Sequence, residues 1–219
     1  MLKTACFLAL PIAAILSSFA FAGAKVTFPD PVVDQTKSAE HGKETAVLAG
    51  GCFWGVEAVF DHLKGVTDVV SGFSGGDKST AHYETVSTGR TGHAESVKIT
   101  YDPSQITYGE LLKVYFAIAH DPTEVNRQGP DTGTQYRSAI FYANEEQKKI
   151  AEAYIQQLNE AKVFSKPIAT QVVPLKGFYA AESYHQKYLE SHTDQPYIVY
   201  NDLPKLAALK KQYPAMCKR

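Results

Sequence analysis

One cysteine stands where a thiol could do chemistry. In Gly50-Gly51-Cys52-Phe53-Trp54-Gly55-Val56-Glu57 the paired glycines free the backbone to turn sharply out of a short β-type run, and Cys52 falls near the first turn of the helix that follows. Unpaired amides and the helix dipole at such a place favour an anion, so the thiol is expected to lose its proton readily and present the reactive thiolate. Phe53 and Trp54 can wall an apolar recess beside the sulfur. The plainer alternative is a small core residue, the usual fate of a free cysteine. The glycines and the two aromatics weigh against it.

A second group comes from residues 93–101, a stretch of strand-type alternation. Glu95 shares a side with Val97, Ile99 and Tyr101, while Ser96, Lys98 and Thr100 lie opposite. If the apolar side faces the core, Glu95 is a poorly hydrated carboxyl group with a raised pKa, suited to act as a general acid. A strand-end glutamate that reaches solvent, or pairs with Arg90, fits the pattern equally well. The polar, glycine-rich loop through Gln128, Asp131 and Gln135 into Tyr136 is a usual place for site residues, although loops of this composition are common.

These groups need elements to carry them. Strands are expected over residues 44–49, 66–73, 93–101, 136–142 and 169–174. Helices are expected from Cys52 through Leu63, with Gly65 as the stop, and over 108–119, 145–161 and 204–213. Residues 85–92 and 121–133 read as loops, and Lys205, Lys210 and Lys211 as the solvated face of the last helix. The interspersed order, with no repeat, predicts one α+β domain with an antiparallel or mixed sheet.

The composition narrows the function. An apolar fraction of 44% against 21% charged residues is that of a globular chain. A net charge of −1 supplies no basic surplus for nucleic acid. Three cysteines without a C-x-x-C pair exclude a disulfide scaffold, and the histidines show no metal-ligand spacing. Residues 1–22 carry one early cation, an apolar run and a final Ala20-Phe21-Ala22, the pattern of a secretory signal cleaved after Ala22. The expected organisation is therefore signal 1–22, extended lead-in of uncertain order 23–43, and domain 44–219, in an exported, monomeric chain with no membrane contact once the signal is removed. In a Gram-negative cell that destination is the periplasm.

The stretches GGCFWGVE, GFSGG, TGHAESVKITYDP, HDPTEVNRQGPDTGTQYRSAIF and AESYHQKYL, in this order, resemble the A-type peptide methionine sulfoxide reductase family. The resemblance implies a two-layer sandwich with a ferredoxin-like βαββαβ core. It implies thiol-dependent reduction of free and peptide-bound methionine S-sulfoxide, in the repair of oxidised proteins. By the same resemblance Cys52 is the nucleophile and passes through a sulfenic acid, and Glu95 is the acid. Tyr83 and Tyr136 contact the sulfoxide oxygen, Phe53 and Trp54 hold the substrate methyl group, and Asp131 is an acid of the polar loop. Phe73 stands where the family commonly has tyrosine. No bound cofactor or metal is implied; an external, thioredoxin-like dithiol supplies the electrons.

The resemblance thins at the C-terminus, where many relatives carry a resolving cysteine in a Gly-Tyr-Cys segment and this chain reads Gln195-Pro196-Tyr197-Ile198. After loss of Cys6 the remaining thiol is Cys217, which could reach Cys52 from a mobile tail or could be incidental. Two rival functions are a cysteine hydrolase using Cys52 and a histidine base, and an aromatic-rich binding module with a buried thiol.

Overall fold

The computed structural model describes residues 28–218, so the expected signal segment lies outside the described residues. The chain runs β1 (Glu44–Gly50), α1 (Phe53–Asp61), β2 (Val66–Ser74), β3 (Ala94–Tyr101), α2 (Tyr108–Val114) and β4 (Ser138–Tyr142). It continues with α3 (Glu145–Glu160), β5 (Gln171–Pro174), β6 (Phe178–Ala180) and α4 (Leu203–Gln212). The six strands form one sheet in the order β5-β4-β1-β3-β2-β6. Neighbours are antiparallel except β4 and β5. Within it the four strands β4-β1-β3-β2, crossed by α1 and α2, make the expected ferredoxin-like βαββαβ unit.

Strand alternation sorts the two faces. Ala46 and Leu48 of β1 join Val97, Ile99 and Tyr101 of β3 in the main core, whereas Val47 and Ala49 meet Ala139 and Phe141 on the other side. Onto the first face α1 presses Phe53, Val56 and Phe60, and α2 presses Leu111 and Leu112, all nearly without solvent exposure. The core thus holds the end of β1, the start of α1 and the start of β3 in fixed relation. Those are the places of Cys52 and Glu95.

Several local expectations change. The α-helical turns of α2 give way to a π-helical turn over Tyr115–Ala119. Tyr136 is not a strand residue: it closes a 3-10 turn, Thr134–Tyr136, and the strand begins at Ser138. Tyr83 opens a one-turn helix, Tyr83–Val86, that runs into the start of the stretch read as loop, residues 85–92. Helix α1 stops at Asp61, and Leu63 instead forms a β-bridge with Cys217.

The described part of the lead-in is held against the domain. Phe28 meets Phe164 edge-on, Lys113 Nζ contacts Asp30 at 2.6 Å, and Asp34 binds the start of α2. No helix among the described residues is long and apolar enough to cross a membrane.

Candidate active site

Strand β1 ends at Gly50, and the chain enters α1 through Gly51, whose φ of +89° strains any side chain. A Cβ there would also lie 2.6 Å from the Gln128 side chain. Cys52 is the residue before the first helical turn, and its side chain caps nothing. One orphan amide of that turn is met from another strand: Phe53 N–H donates to Glu95 Oε2 at 3.0 Å. Glu95 is 2% exposed. The bond sets the carboxyl group beside the sulfur.

A cavity of about 270 Å³ opens at this point, lined by Cys52, Phe53, Trp54, Tyr83, Glu95, Asp131 and Tyr136, together with Gln195 and Tyr197. Seven residues singled out in the sequence therefore share one hollow, although they come from five separate segments. Four of them are held from behind. Trp54 stacks on Tyr188 at 3.9 Å and donates its Nε1–H to His185 Nδ1 at 3.2 Å. The Tyr83 ring packs on His185, and its backbone N–H donates to Glu182 Oε1. The turn that carries Tyr136 is fastened by Arg137, which donates to His93 O, Thr134 O and Gly92 O. Asp131 accepts the Tyr197 hydroxyl at 2.5 Å.

Burial governs the charge states here. Desolvation lifts Glu95 to about 8, with the Asp131 carboxylate adding and the Phe53 amide opposing. At neutral pH Glu95 is thus mostly a carboxylic acid, and no partnership with Arg90 relieves it. Cys52 departs from the expected thiolate. Burial pushes its thiol well above the ordinary range, and Glu95 and Asp202 push it further. The Trp54 amide and Lys205 pull it down more weakly. The helix-start field is present, but desolvation and two acidic neighbours outweigh it. The phenols of Tyr83, Tyr136 and Tyr197 are all raised by desolvation first, which keeps them hydrogen-bond donors.

The structure leaves Cys217 outside this group. Its segment is docked, not loose. Cys217 is buried and bridged to Leu63, Lys64 N–H donates to Met216 O, and Lys218 N–H donates to His62 O. Leu63 lies past the far end of α1, so the length of that nine-residue helix, roughly 13 Å at about 1.5 Å per residue, lies between Cys52 and the place where Cys217 is bridged. Lys205 also departs from the expected solvated face. Its ammonium pairs with the fully buried Asp202 at 3.1 Å, while Lys210 and Lys211 are exposed as expected.

Gln195, Tyr197, Asp202 and Lys205 are the residues that sequence reading missed. No spacing marks them. The available signal was that the segment following Gln195 mixes aromatic and polar residues where the motif resemblance lapses.

A family model described as peptide methionine sulfoxide reductase matches residues 44–216. The peptide methionine sulfoxide reductase MsrA 2 of Mesorhizobium japonicum is 61% identical over 180 residues, covering 82% of this chain and 92% of that protein. The MsrA 2 of Synechocystis sp. is 50% identical over 204 residues, covering 92% of this chain and 95% of that protein. Among solved structures, the reduced form of Mxr1 from Saccharomyces cerevisiae aligns with a TM-score of 0.63 at 34% identity, covering 75% of this chain and 92% of that one. Methionine sulfoxide reductase A of Corynebacterium diphtheriae aligns at 0.59 with 39% identity, covering 75% and 82%.

Proposed function

The chain belongs to the peptide methionine sulfoxide reductase family and reduces methionine sulfoxide, and on that premise we propose that Cys52 is the nucleophile and Glu95 the acid of the reaction. The observation that carries this reading is the Phe53 N–H bond, which places a neutral carboxyl group beside the sulfur in one aromatic-walled cavity.

A sulfoxide sulfur accepts a nucleophile only when its oxygen is protonated or strongly hydrogen-bonded. Glu95 gives its proton to that oxygen, and the Tyr83 and Tyr136 hydroxyls donate to it. Phe53 and Trp54 receive the methyl group, and Asp131, held by Tyr197, faces the bound substrate. As the Cys52 sulfur attacks, its own proton passes to Glu95, so the acid is restored. The sulfur–sulfur bond formed in that attack and the sulfur–oxygen bond of the substrate both break as the hydroxyl passes to the Cys52 sulfur, so methionine leaves and Cys52 keeps the oxygen as a sulfenic acid. The substrate sulfur gains two electrons and the Cys52 sulfur loses two. An incoming thiol then displaces the oxygen as water and forms a mixed disulfide, which a second thiol resolves.

We assign that work to an external, thioredoxin-like dithiol that acts on Cys52 directly, because the Cys217 route demands that the docked C-terminal segment first come away. The substrates are free methionine S-sulfoxide and the S-sulfoxides of exported proteins, repaired in the periplasm after removal of residues 1–22. The hydrolase reading lacks a base: among the described residues no histidine lines the cavity.

An assay of the two separate sulfoxide epimers with dithiothreitol tests the core of the proposal. Reduction of the S epimer alone, lost in Cys52→Ser, is expected; reduction that survives Cys52→Ser overturns it. Cys217→Ser is expected to turn over with a thioredoxin system at the parent rate, and a collapse of that rate would return Cys217 to the cycle. N-terminal sequencing of the protein from fractionated cells, expected to begin at Gly23 in the periplasmic fraction, tests the destination.

A further inference from the structure

Gly55 is the third residue of α1 and has ordinary helical backbone, so no left-handed φ asks for glycine there, and glycine is a poor helix former. What requires it is a neighbour. A Cβ on Gly55 would stand 2.0 Å from Asp202 Oδ1 and 3.0 Å from Lys205 Nζ. Asp202 is fully buried, accepts from Lys205 Nζ at 3.1 Å, and leaves Oδ2 with no hydrogen-bond partner among the described residues. The Lys205 side chain is 19% exposed. A buried ion pair with an unsatisfied oxygen returns less than its desolvation costs, so it is poor cement for a helix end. Its surroundings point to another use: it presses on the first turn of the helix that begins with Cys52.

We propose that Asp202 and Lys205 are a positioning pair for sulfoxide reduction, acting through the glycine-sized gap in α1 to set the net field at the Cys52 sulfur. The inference rests on the reading of Cys52 as the nucleophile. The charged and titratable groups around that sulfur are Glu95 from β3, Asp131 from a short hairpin in which Arg127–Gln128 pairs with Asp131–Thr132, and the phenols of Tyr83, Tyr136 and Tyr197. Asp202 and Lys205 come from the C-terminal segment. Of this last pair, Asp202 resists an anion on Cys52 more strongly than Lys205 supports one. That balance adds to burial and Glu95 in holding Cys52 in the thiol form, the form that oxidants attack least.

The test is iodoacetamide alkylation of Cys52 against pH, in a chain whose Cys6 and Cys217 are serine. Asp202→Asn is expected to speed alkylation at pH 7 about tenfold, with the midpoint about one pH unit lower. Asp202→Asn combined with Lys205→Met removes the buried charge altogether and is expected to give a smaller gain, about threefold. Gly55→Ala, which drives the carboxylate outward, should move the midpoint in the same direction as Asp202→Asn. A role confined to fold stability would change melting and leave the midpoint alone. Midpoints unchanged in whichever of the three variants melt cooperatively overturn the proposal. Sulfoxide reduction that survives Cys52→Ser instead overturns the reading beneath it, so the two failures are told apart.

Discussion

Two helix starts in this molecule use the same device to opposite ends. At each, a glycine in the first turn lets a remote aspartate press on the helix: Asp34 against Gly109 in α2, and Asp202 against Gly55 in α1. At α2 the carboxylate is fully used. Asp34 accepts from Gly109 N–H at 2.9 Å and from the Thr107 hydroxyl, while Thr107 and Glu110 close a reciprocal capping box. At α1 the orphan amides are left for chemistry. Cys52 caps nothing, Glu95 takes one amide from across the sheet, and Asp202 keeps an oxygen unpaired. A helix start that satisfies its donors stabilises the fold. One that withholds them stores polarity for a substrate and costs stability.

The largest test of that contrast removes the acid. Glu95→Gln keeps the shape and the bond to Phe53 but has no proton to give, and a drop in the rate of sulfoxide reduction of about 10²–10⁴ is expected. The same substitution is expected to strengthen the fold in alkali. Because the folded pKa lies above the ordinary value of 4.5, the native state holds a proton that the unfolded chain releases between about 4.5 and about 8. Parent stability therefore falls as pH rises through that window. At pH 8.5 Glu95→Gln should be more stable than the parent by about 4–5 kcal/mol, and the gap should close toward pH 4.5. Urea unfolding at both pH values measures it. A destabilised variant at pH 8.5 would deny that the acid is held against its preference.

How much of this was legible from the chain alone divides along sequence separation. Cys52 at a glycine-rich strand-to-helix turn and Glu95 on the apolar side of its strand are local patterns, and periodicity carries both. The charge state of Cys52 was not readable, because it depends first on burial that no motif encodes, then on Glu95 and on Asp202, some 150 residues away. Tyr136 sits among strand-type residues, yet Gly133 ahead of it and Arg137 behind it fold the stretch into a turn. Cys217 sits near the end of the chain, but backbone hydrogen bonds to residues 62–64 tie its segment down. Lys205 follows the amphipathic pattern of a surface helix, and a buried carboxylate one turn earlier overrides it.

A smaller effect separates the residues that hold the site from those that react in it. Tyr197→Phe keeps the ring edge-on to Trp54 and removes only the hydroxyl that Asp131 accepts. A loss of one such bond is worth about 1 kcal/mol, hence a change of roughly fivefold in kcat/KM. If Tyr197 only orients Asp131, the change falls on KM and the pH profile stays in place. A loss as large as that of Glu95→Gln would make its hydroxyl a participant, and the cavity would then hold three working phenols.

The smallest expected effect on activity is at the other helix start. Thr107→Ala removes the hydroxyl that accepts from Glu110 N–H at 3.1 Å and donates to Asp34. It should cost about 1–2 kcal/mol of stability, read as a lower urea midpoint with an unchanged slope. Sulfoxide reduction below the melting transition should stay within about twofold of the parent, since α2 reaches the cavity only through the core. The test is informative because both helices belong to the same βαββαβ unit and pack on the same sheet face. If loss of the Thr107 cap slowed the chemistry tenfold while the protein remained folded, the two helix starts would be mechanically coupled. The division of labour between a satisfied start and an unsatisfied one would then have to give way to a single strained unit.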